Sequence, residues 1–125
     1  MKYSLMGAFM NRDKIDLYFK AWKEYDVTLL REVFTNEANY IIENKNQTFE
    51  GIEEISRYWL RNKARQNNIK LEWKTNTDND VSFRAQFWDS EECELQEIVG
   101  DIHFIFDANG RIDELREYYS KIVHV

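Results

Sequence analysis

The stretch GDIHFIFDANGRIDELREYYS, at residues 100–120, predicts two long strands joined by one tight turn. Apolar residues alternate with other residues over 98–106, as expected of a strand with one buried face. Asn109-Gly110 is a strong hairpin signal, because both residues accept the positive φ that a type I′ or bulged turn requires. The return strand is predicted over 112–119. The rest of the chain is expected to pack around this hairpin.

One carboxylate on the return strand lies in an unusual place. Leu115, Glu117 and Tyr119 share a face if the alternation holds, so Glu117 falls between two apolar neighbours on the inner side. Burial raises the pKa of a carboxyl group, which suits a general acid or base near neutral pH. The alternative is that the strand leaves the sheet by residue 117 and that the carboxylate is in water.

Length and composition favour a single domain at residues 1–125, with no separate cofactor domain. Aromatic residues make up 15% of the chain, so either the core is packed with rings or a pocket is lined with them. The net charge of -6 argues against a nucleic-acid partner, which would require a basic surface.

Other sequence features argue against several kinds of site. The single cysteine, Cys93, excludes an intramolecular disulfide and favours a reducing, cytoplasmic environment. No apolar run approaches the roughly 18 to 20 residues of a membrane span. With only His103 and His124 as histidines, a metal site has little support, and no cofactor is expected.

The hydrophobic period changes from helical to strand-like along the chain. The first helix is expected to begin near Asn11 or Asp13, to end at about Tyr25, and to bury one apolar stripe. Asp26 is expected to cap a short second helix whose buried edge includes Phe34. The remaining predicted elements are strands at 38–43 and 47–50, a helix at 52–65, and strands at 69–74, 81–88, 93–106 and 112–119. Helices on one face of a curved sheet form an α+β plan.

This order of elements resembles the NTF2-like superfamily, most closely its SnoaL-like members. The resemblance is carried by the helical pair, the short hairpin, the helix GIEEISRYW at 51–59 and the ending GRIDELREYY at 110–119. It implies a cone-shaped fold in which three N-terminal helices pack on a strongly curved, mostly antiparallel sheet around an apolar cavity. The superfamily contains isomerases, cyclases, epoxide hydrolases and binding proteins without chemistry, so the fold does not choose the function.

Ketosteroid isomerases offer the sharpest comparison, because their site combines an Asp base with a Tyr and a protonated Asp as hydrogen-bond donors. The resemblance places Tyr18 at the position of that tyrosine. It places Ile42 at the base position and Ile102 at the position of the protonated acid. Ser120 also replaces an acid that many SnoaL-like proteins carry. Isomerisation by this known set of residues is therefore not expected.

Together these observations predict an aromatic-lined apolar cavity that binds a small hydrophobic or aromatic molecule without catalysis. The alternative is a cofactor-independent isomerase, dehydratase or cyclase in which Glu117 is the general acid or base and Tyr18 donates a hydrogen bond. The expected cavity residues are Tyr18, Trp22, Tyr40, Ile42, Trp59, Phe83, Phe87, Ile102, Phe104, Leu115 and Tyr119.

The outer face of the sheet is also more apolar than a solvated face requires. If residues 102, 104 and 106 fill the interior, their neighbours must point away from it. Trp88, Val99, His103 and Ile105 are expected on this outer face, where an apolar patch suits a two-fold interface. The sequence therefore predicts a homodimer through the outer sheet face.

Overall fold

A computed structural model gives the backbone of residues 2–124 and the side chains of residues 11–122. Three helices and six strands make up this part of the chain. In chain order they are α1 (Lys2–Glu24), α2 (Val27–Val33), β1 (Phe34–Ile42), β2 (Gln47–Glu50), α3 (Gly51–Arg65), β3 (Gln66–Thr75), β4 (Asp80–Asp89), β5 (Glu94–Phe106) and β6 (Ile112–His124). A single 3-10 turn at Glu43–Lys45 joins β1 to β2.

The six strands form one sheet in the order β2-β1-β6-β5-β4-β3. All neighbouring pairs are antiparallel except β1 and β6, which are parallel. The last strand in sequence is therefore central in the sheet. This confirms the predicted α+β fold, with helices packed on a mostly antiparallel sheet.

Aromatic rings contribute much of the core beside the aliphatic side chains. Tyr18 of α1 is fully buried and makes edge-to-face contacts with four rings at centroid distances of 5.1 to 6.0 Å. Pairs of this geometry stabilise beyond the area that they bury. The rings around Tyr18 are Phe19, Phe34, Trp59 and Phe104. Much of the aromatic excess is therefore used in packing.

Alternation in the terminal hairpin is confirmed. Ile102 and Phe104 are buried, while His103 and Ile105, which alternate with them, are exposed. The turn differs in detail from a type I′ turn, because among its residues only Gly110 has a positive φ, of 81°. The amide of Gly110 donates to the carbonyl of Asp107 at 3.1 Å, which leaves Gly110 as the left-handed residue that closes the hairpin.

Gly100 is required by a close approach of β5 to β6. A Cβ atom at this position would lie 2.1 Å from the carbonyl oxygen of Tyr118 and 2.8 Å from Cα of Tyr119. Both are backbone atoms of the paired strand, so neither can move aside alone. The sheet therefore holds this register only with glycine at residue 100.

Four predicted boundaries were wrong, and one of them is the start of β3, which begins at Gln66 rather than at residue 69. Helix α1 begins at Lys2 rather than near Asn11 or Asp13, because apolar helix formers continue the helix upstream and no proline stops it. Phe34 begins β1 instead of ending the second helix, since its φ of −100° and ψ of 150° are already extended. Strand β6 continues to His124, where its backbone still pairs with Leu95.

Asp26 caps α2 as predicted. Its side chain accepts a hydrogen bond from the amide of Thr28 at 3.0 Å. None of the helices within the described residues combines the length and the apolar character that a membrane crossing requires.

Candidate functional site

Glu117 lies on β6 at the centre of the sheet, with its side chain on the buried inner face. The residue is 4% exposed. In the strand pairing it is opposite Ile42 of β1 on one side and Ile102 of β5 on the other. These two isoleucines occupy the positions at which the family resemblance placed a catalytic acid and base. A single carboxylate thus stands on the strand between them.

Burial raises the pKa of Glu117 from 4.5 to about 7, and a hydrogen bond from Tyr40 opposes part of that rise. Removal from water disfavours the charged form of a carboxyl group, and no cation is among the causes that lower this pKa. Near neutral pH, the group therefore exists in both its protonated and ionised forms. A general acid or base requires that balance.

Two buried tyrosine hydroxyls form a hydrogen-bonded row with the carboxyl group of Glu117. The hydroxyl of Tyr40 donates to Oε1 of Glu117 at 3.3 Å, and the hydroxyls of Tyr40 and Tyr18 are 3.1 Å apart. Burial, followed by the nearby charge of Glu117, raises the pKa of both tyrosines, so both stay neutral. Because Tyr40 gives its only proton to the ionised carboxylate, Tyr18 is the donor to Tyr40 in that state.

A second polar cluster lies at the C-terminal end of α1, beside this row of hydroxyls. Nε1 of Trp22 lies 3.1 Å from the hydroxyl of Tyr25 and 3.2 Å from Oε1 of Gln66. The hydroxyl of Tyr25 donates to the same oxygen of Gln66. Tyr25 has a left-handed φ of 47°, which is unusual for a bulky residue. The cluster holds this strained residue in place and fixes the position where the helix stops.

The enclosed space around Glu117 is small. A cavity of about 20 Å³ is lined by Trp22, Tyr25, Tyr40, Tyr58, Trp59, Asn62, Gln66 and Glu117. This volume holds about one water molecule. The roomy apolar cavity that the sequence predicted is thus largely filled by aromatic rings.

A wider pocket of about 230 Å³ opens next to this cavity. We call it the mouth pocket, and it is lined by Lys45, Asn62, Arg65, Gln66, Phe87, Asp89, Gln96, Ile98, Tyr119 and Lys121. Asn62 and Gln66 line both spaces, so the mouth pocket and the cavity at the buried carboxylate are neighbours.

A larger surface depression lies elsewhere. It is an open groove of about 540 Å³ between β2 and α3, lined by Thr48, Phe49, Glu54, Arg57, Leu60 and Arg61. None of these residues lines the cavity around Glu117. We therefore place the candidate site at the smaller buried space, where the perturbed carboxyl group is.

The structure divides the residues expected from the sequence into three groups. Glu117, Tyr40, Trp22 and Trp59 line the small cavity, and Phe87 and Tyr119 line the mouth pocket. Six other residues are buried in the packed core without lining either space. They are Tyr18, Ile42, Phe83, Ile102, Phe104 and Leu115.

Sequence reasoning missed four residues that line the small cavity. Tyr58, Asn62 and Gln66 recur every four residues along α3 and just beyond it, a spacing that puts them on one side of a helix. This polar stripe beside the apolar one was the available signal. Tyr25 gave no comparable signal, because nothing in its sequence context indicates a left-handed tyrosine.

Several solved structures share the fold. An enzyme described as epoxide hydrolase/cyclase-like, SalBIII of pyran ring formation in the polyether salinomycin, is 19% identical and superposes with a TM-score of 0.74, over 91% of this chain and 95% of its own. A Shewanella denitrificans OS-217 protein, provisionally named a SnoaL-like polyketide cyclase, is 16% identical with a TM-score of 0.72, over 88% and 90%. An NTF2-like protein of unknown function from Exiguobacterium sp. 255-15 is 15% identical with a TM-score of 0.69, over 86% and 98%.

The chain has an NTF2-like fold. At these identities the likeness establishes the NTF2-like architecture and leaves the chemistry to the site itself. No family model matches the sequence, and no curated protein matches it.

This NTF2-like site can exchange a proton with a bound molecule. The Glu117 carboxyl can accept or donate one, and the Tyr40 hydroxyl, which lines the same cavity and is hydrogen-bonded to Tyr18, can donate a hydrogen bond to an oxygen that gains negative charge. Among the side chains of residues 11–122, no group of three or more His, Cys, Asp and Glu could hold a metal ion.

Proposed function

We propose that this protein is a cofactor-independent enzyme that moves a proton on a small organic molecule, in a reaction of the isomerase, dehydratase or cyclase type. Glu117 is the general acid or base. One observation carries the proposal: a fully buried carboxyl group with a pKa near 7 is hydrogen-bonded to a tyrosine at the end of a cavity.

Tyr40, rather than Tyr18, is the hydroxyl in contact with the carboxyl group. Tyr18 acts through Tyr40, because its hydroxyl reaches Glu117 only through that of Tyr40. The hydroxyl of Tyr18 and the carboxyl of Glu117 are no further apart than the sum of the two hydrogen bonds, which is within the roughly 8 Å that one small substrate can bridge. In the reaction, Tyr40 turns from Glu117 to the substrate oxygen as charge develops there.

Substrate entry requires side chains to move. The cavity holds about one water molecule, so a substrate must displace that water and push aside the amides of Asn62 and Gln66. The hydroxyl of Tyr58 hydrogen-bonds the side chain of Asn62, whereas Gln66 is held by both Trp22 and Tyr25. Asn62 is therefore the side chain that opens at the smaller cost.

A panel of three substrate types tests the proposal. A β,γ-unsaturated ketone reports isomerisation, a β-hydroxy ketone reports dehydration, and an epoxy alcohol reports ring closure, the last chosen because of the similar cyclase-like structure. Glu117→Gln is expected to lower turnover by about 100-fold or more. Glu114→Gln, on the same strand but paired with Arg116, is the control and is expected to keep the wild-type rate. Failure of the wild type to turn over any of the three, or full activity of Glu117→Gln, would contradict the proposal.

The mouth pocket favours a second candidate function, binding without catalysis. Phe87, Ile98 and Tyr119 are the apolar part of a largely polar lining, and its volume of about 230 Å³ admits a small molecule with an apolar or aromatic part even while the inner cavity is closed. Thermal-shift screening with steroid-like, polyketide-like and fatty ligands separates the two functions. Stabilisation without turnover of any bound compound supports binding alone.

A further inference from the structure

Along the inner face of β6, the side chains become more exposed from the core to the mouth pocket. Alternate residues share a face, so Leu115, Glu117, Tyr119 and Lys121 follow one another along it. Leu115 and Glu117 are buried, Tyr119 is partly buried, and the side chain of Lys121 is 44% exposed. At about 3.3 Å per residue, Cα of Lys121 lies roughly 13 Å from Cα of Glu117.

Three cations from separate elements surround the mouth pocket. Lys45 comes from the 3-10 turn, Arg65 from the end of α3 and Lys121 from β6. Their convergence is notable in a protein with a net charge of -6. Among the side chains of residues 11–122, Asp89 is the one carboxylate in the lining, so positive charges outnumber negative ones there, and such an excess concentrates anionic ligands.

Not all of this positive charge is already neutralised. Arg65 is 2.9 Å from Asp89 and 3.3 Å from Glu91, so its charge is matched. The ammonium of Lys121 is 3.9 Å from Oε1 of Glu94, which is a long distance for an ion pair. The same oxygen already accepts a hydrogen bond from the side chain of Gln96 at 2.7 Å.

Lys45 has no carboxylate partner. Its ammonium lies 5.9 Å above the ring of Tyr119, and among residues 11–122 no carboxylate oxygen is within 4.0 Å of it. Of the three cations, Lys45 therefore has no carboxylate within 4.0 Å among residues 11–122, and Lys121 is held only at 3.9 Å from Glu94.

We infer that the mouth pocket recognises a small organic acid, with its carboxylate between Lys45 and Lys121, its apolar body on Tyr119, Phe87 and Ile98, and its far end directed toward Glu117. This inference rests on the proposed function for what happens at the far end. One unpaired lysine and one lysine at 3.9 Å from its carboxylate match the single charge of a carboxylate better than a phosphate monoester, which carries a charge of about −1.5 to −2 at pH 7. A volume of about 230 Å³ restricts the ligand to a small molecule.

Binding of paired acids and amides tests the inference. Phenylacetate, 4-phenylbutyrate and 6-phenylhexanoate are titrated by calorimetry against their neutral amides, with 2-phenylethyl phosphate as the phosphate arm. We expect at least one acid to bind about tenfold tighter than its amide, and this preference to shrink as salt is added. Equal binding of acid and amide throughout the series, saturable binding of none of the acids, or tighter binding of the phosphate overturns the inference.

Lysine variants locate the effect. The double variant Lys45→Gln/Lys121→Gln is expected to abolish the preference for the acid, whereas Lys70→Gln, an exposed lysine on β3, is expected to leave it unchanged. Retention of the preference in the double variant also overturns the inference. Because lysine-to-glutamine changes here are at exposed positions, folding is expected to be preserved, and the affinity for the neutral amide serves as the check.

Glu117→Gln separates this inference from the proposed function. The variant is expected to keep the preference for the acid, since the mouth pocket is intact, while it loses turnover. An acid preference in a protein without turnover supports the mouth site and contradicts the enzyme. A wild-type protein that turns over neutral substrates but shows no preference for the acid supports the enzyme and contradicts the mouth site.

Discussion

Replacing Glu117 with glutamine is expected to stabilise the protein at pH 8 and to have little effect at pH 4. The folded-state pKa of about 7 lies above the unfolded value of 4.5, so the native state holds a proton that the unfolded state has lost. Stability from this group is fully present below pH 4.5 and is lost as the pH rises through 7. At about 1.4 kcal/mol per pH unit, the loss amounts to roughly 3 kcal/mol by pH 8. Glutamine carries no charge, so the variant does not undergo this loss of stability.

Urea denaturation of both proteins at half-unit steps from pH 4 to pH 8 measures this effect. The difference in unfolding free energy between Glu117→Gln and the wild type is the informative quantity, because contributions from both histidines cancel in it. We expect it to rise by about 3 kcal/mol over this range and to level off above pH 7.5. Glu114→Gln, which changes a partly exposed carboxylate on the same strand, is expected to show a nearly flat difference. A flat difference for Glu117→Gln as well would mean that the carboxyl group is hydrated, and the assignment of the site would be wrong.

Three further predictions use other parts of the structure. Tyr40→Phe removes the hydroxyl that stabilises ionised Glu117, so the inflection of the pH–stability curve should move upward and stability at pH 8 should fall by about 1–2 kcal/mol; Tyr58→Phe, whose hydroxyl bonds Asn62 instead, should leave the inflection in place. Gly100→Ala should cost about 3 kcal/mol or more in urea denaturation, since its Cβ would lie 2.1 Å from a backbone oxygen; an unchanged midpoint would refute the close approach. We also propose the homodimer through the outer face: the wild type should sediment as a dimer at tens of micromolar and Ile105→Arg, at a side chain 42% exposed in one subunit, as a monomer, whereas a monomeric wild type ends that proposal.

The fold could be predicted from the sequence because local patterns of periodicity and capping indicate most of its elements. The period of two in the last hairpin placed Ile102 and Phe104 inside and Ile105 outside, and the structure agrees. Asp26 identified the start of α2 from its capping chemistry alone. Boundaries without a local stop signal were missed. Nothing between residues 2 and 11 indicates where α1 begins, and the step from α2 straight into β1 at Phe34 has no intervening turn residues.

The candidate site was only partly predictable, because it depends on contacts between distant parts of the chain. Alternation alone placed Glu117 on the inner face, and the structure buries it there. The same alternation gave no information on how much space remains beside it. That volume is set by how rings from α1, α3 and β1 meet, such as Tyr40 against Tyr58 at 5.7 Å. Sequence periodicity reports the face on which a residue lies and says nothing about three-dimensional fit.

The position of Glu117 on the central strand explains how its pKa rises to about 7 without a second acid nearby among residues 11–122. Two carboxylates close together titrate as a coupled pair, and each changes the pKa of the other. In this chain the two flanking positions, Ile42 and Ile102, are apolar and fully packed, so they remove water without adding charge. The pKa of Glu117 is therefore set by burial and by one hydrogen bond from Tyr40. The two isoleucines contribute the desolvation that lets a single glutamate give or take a proton near neutral pH.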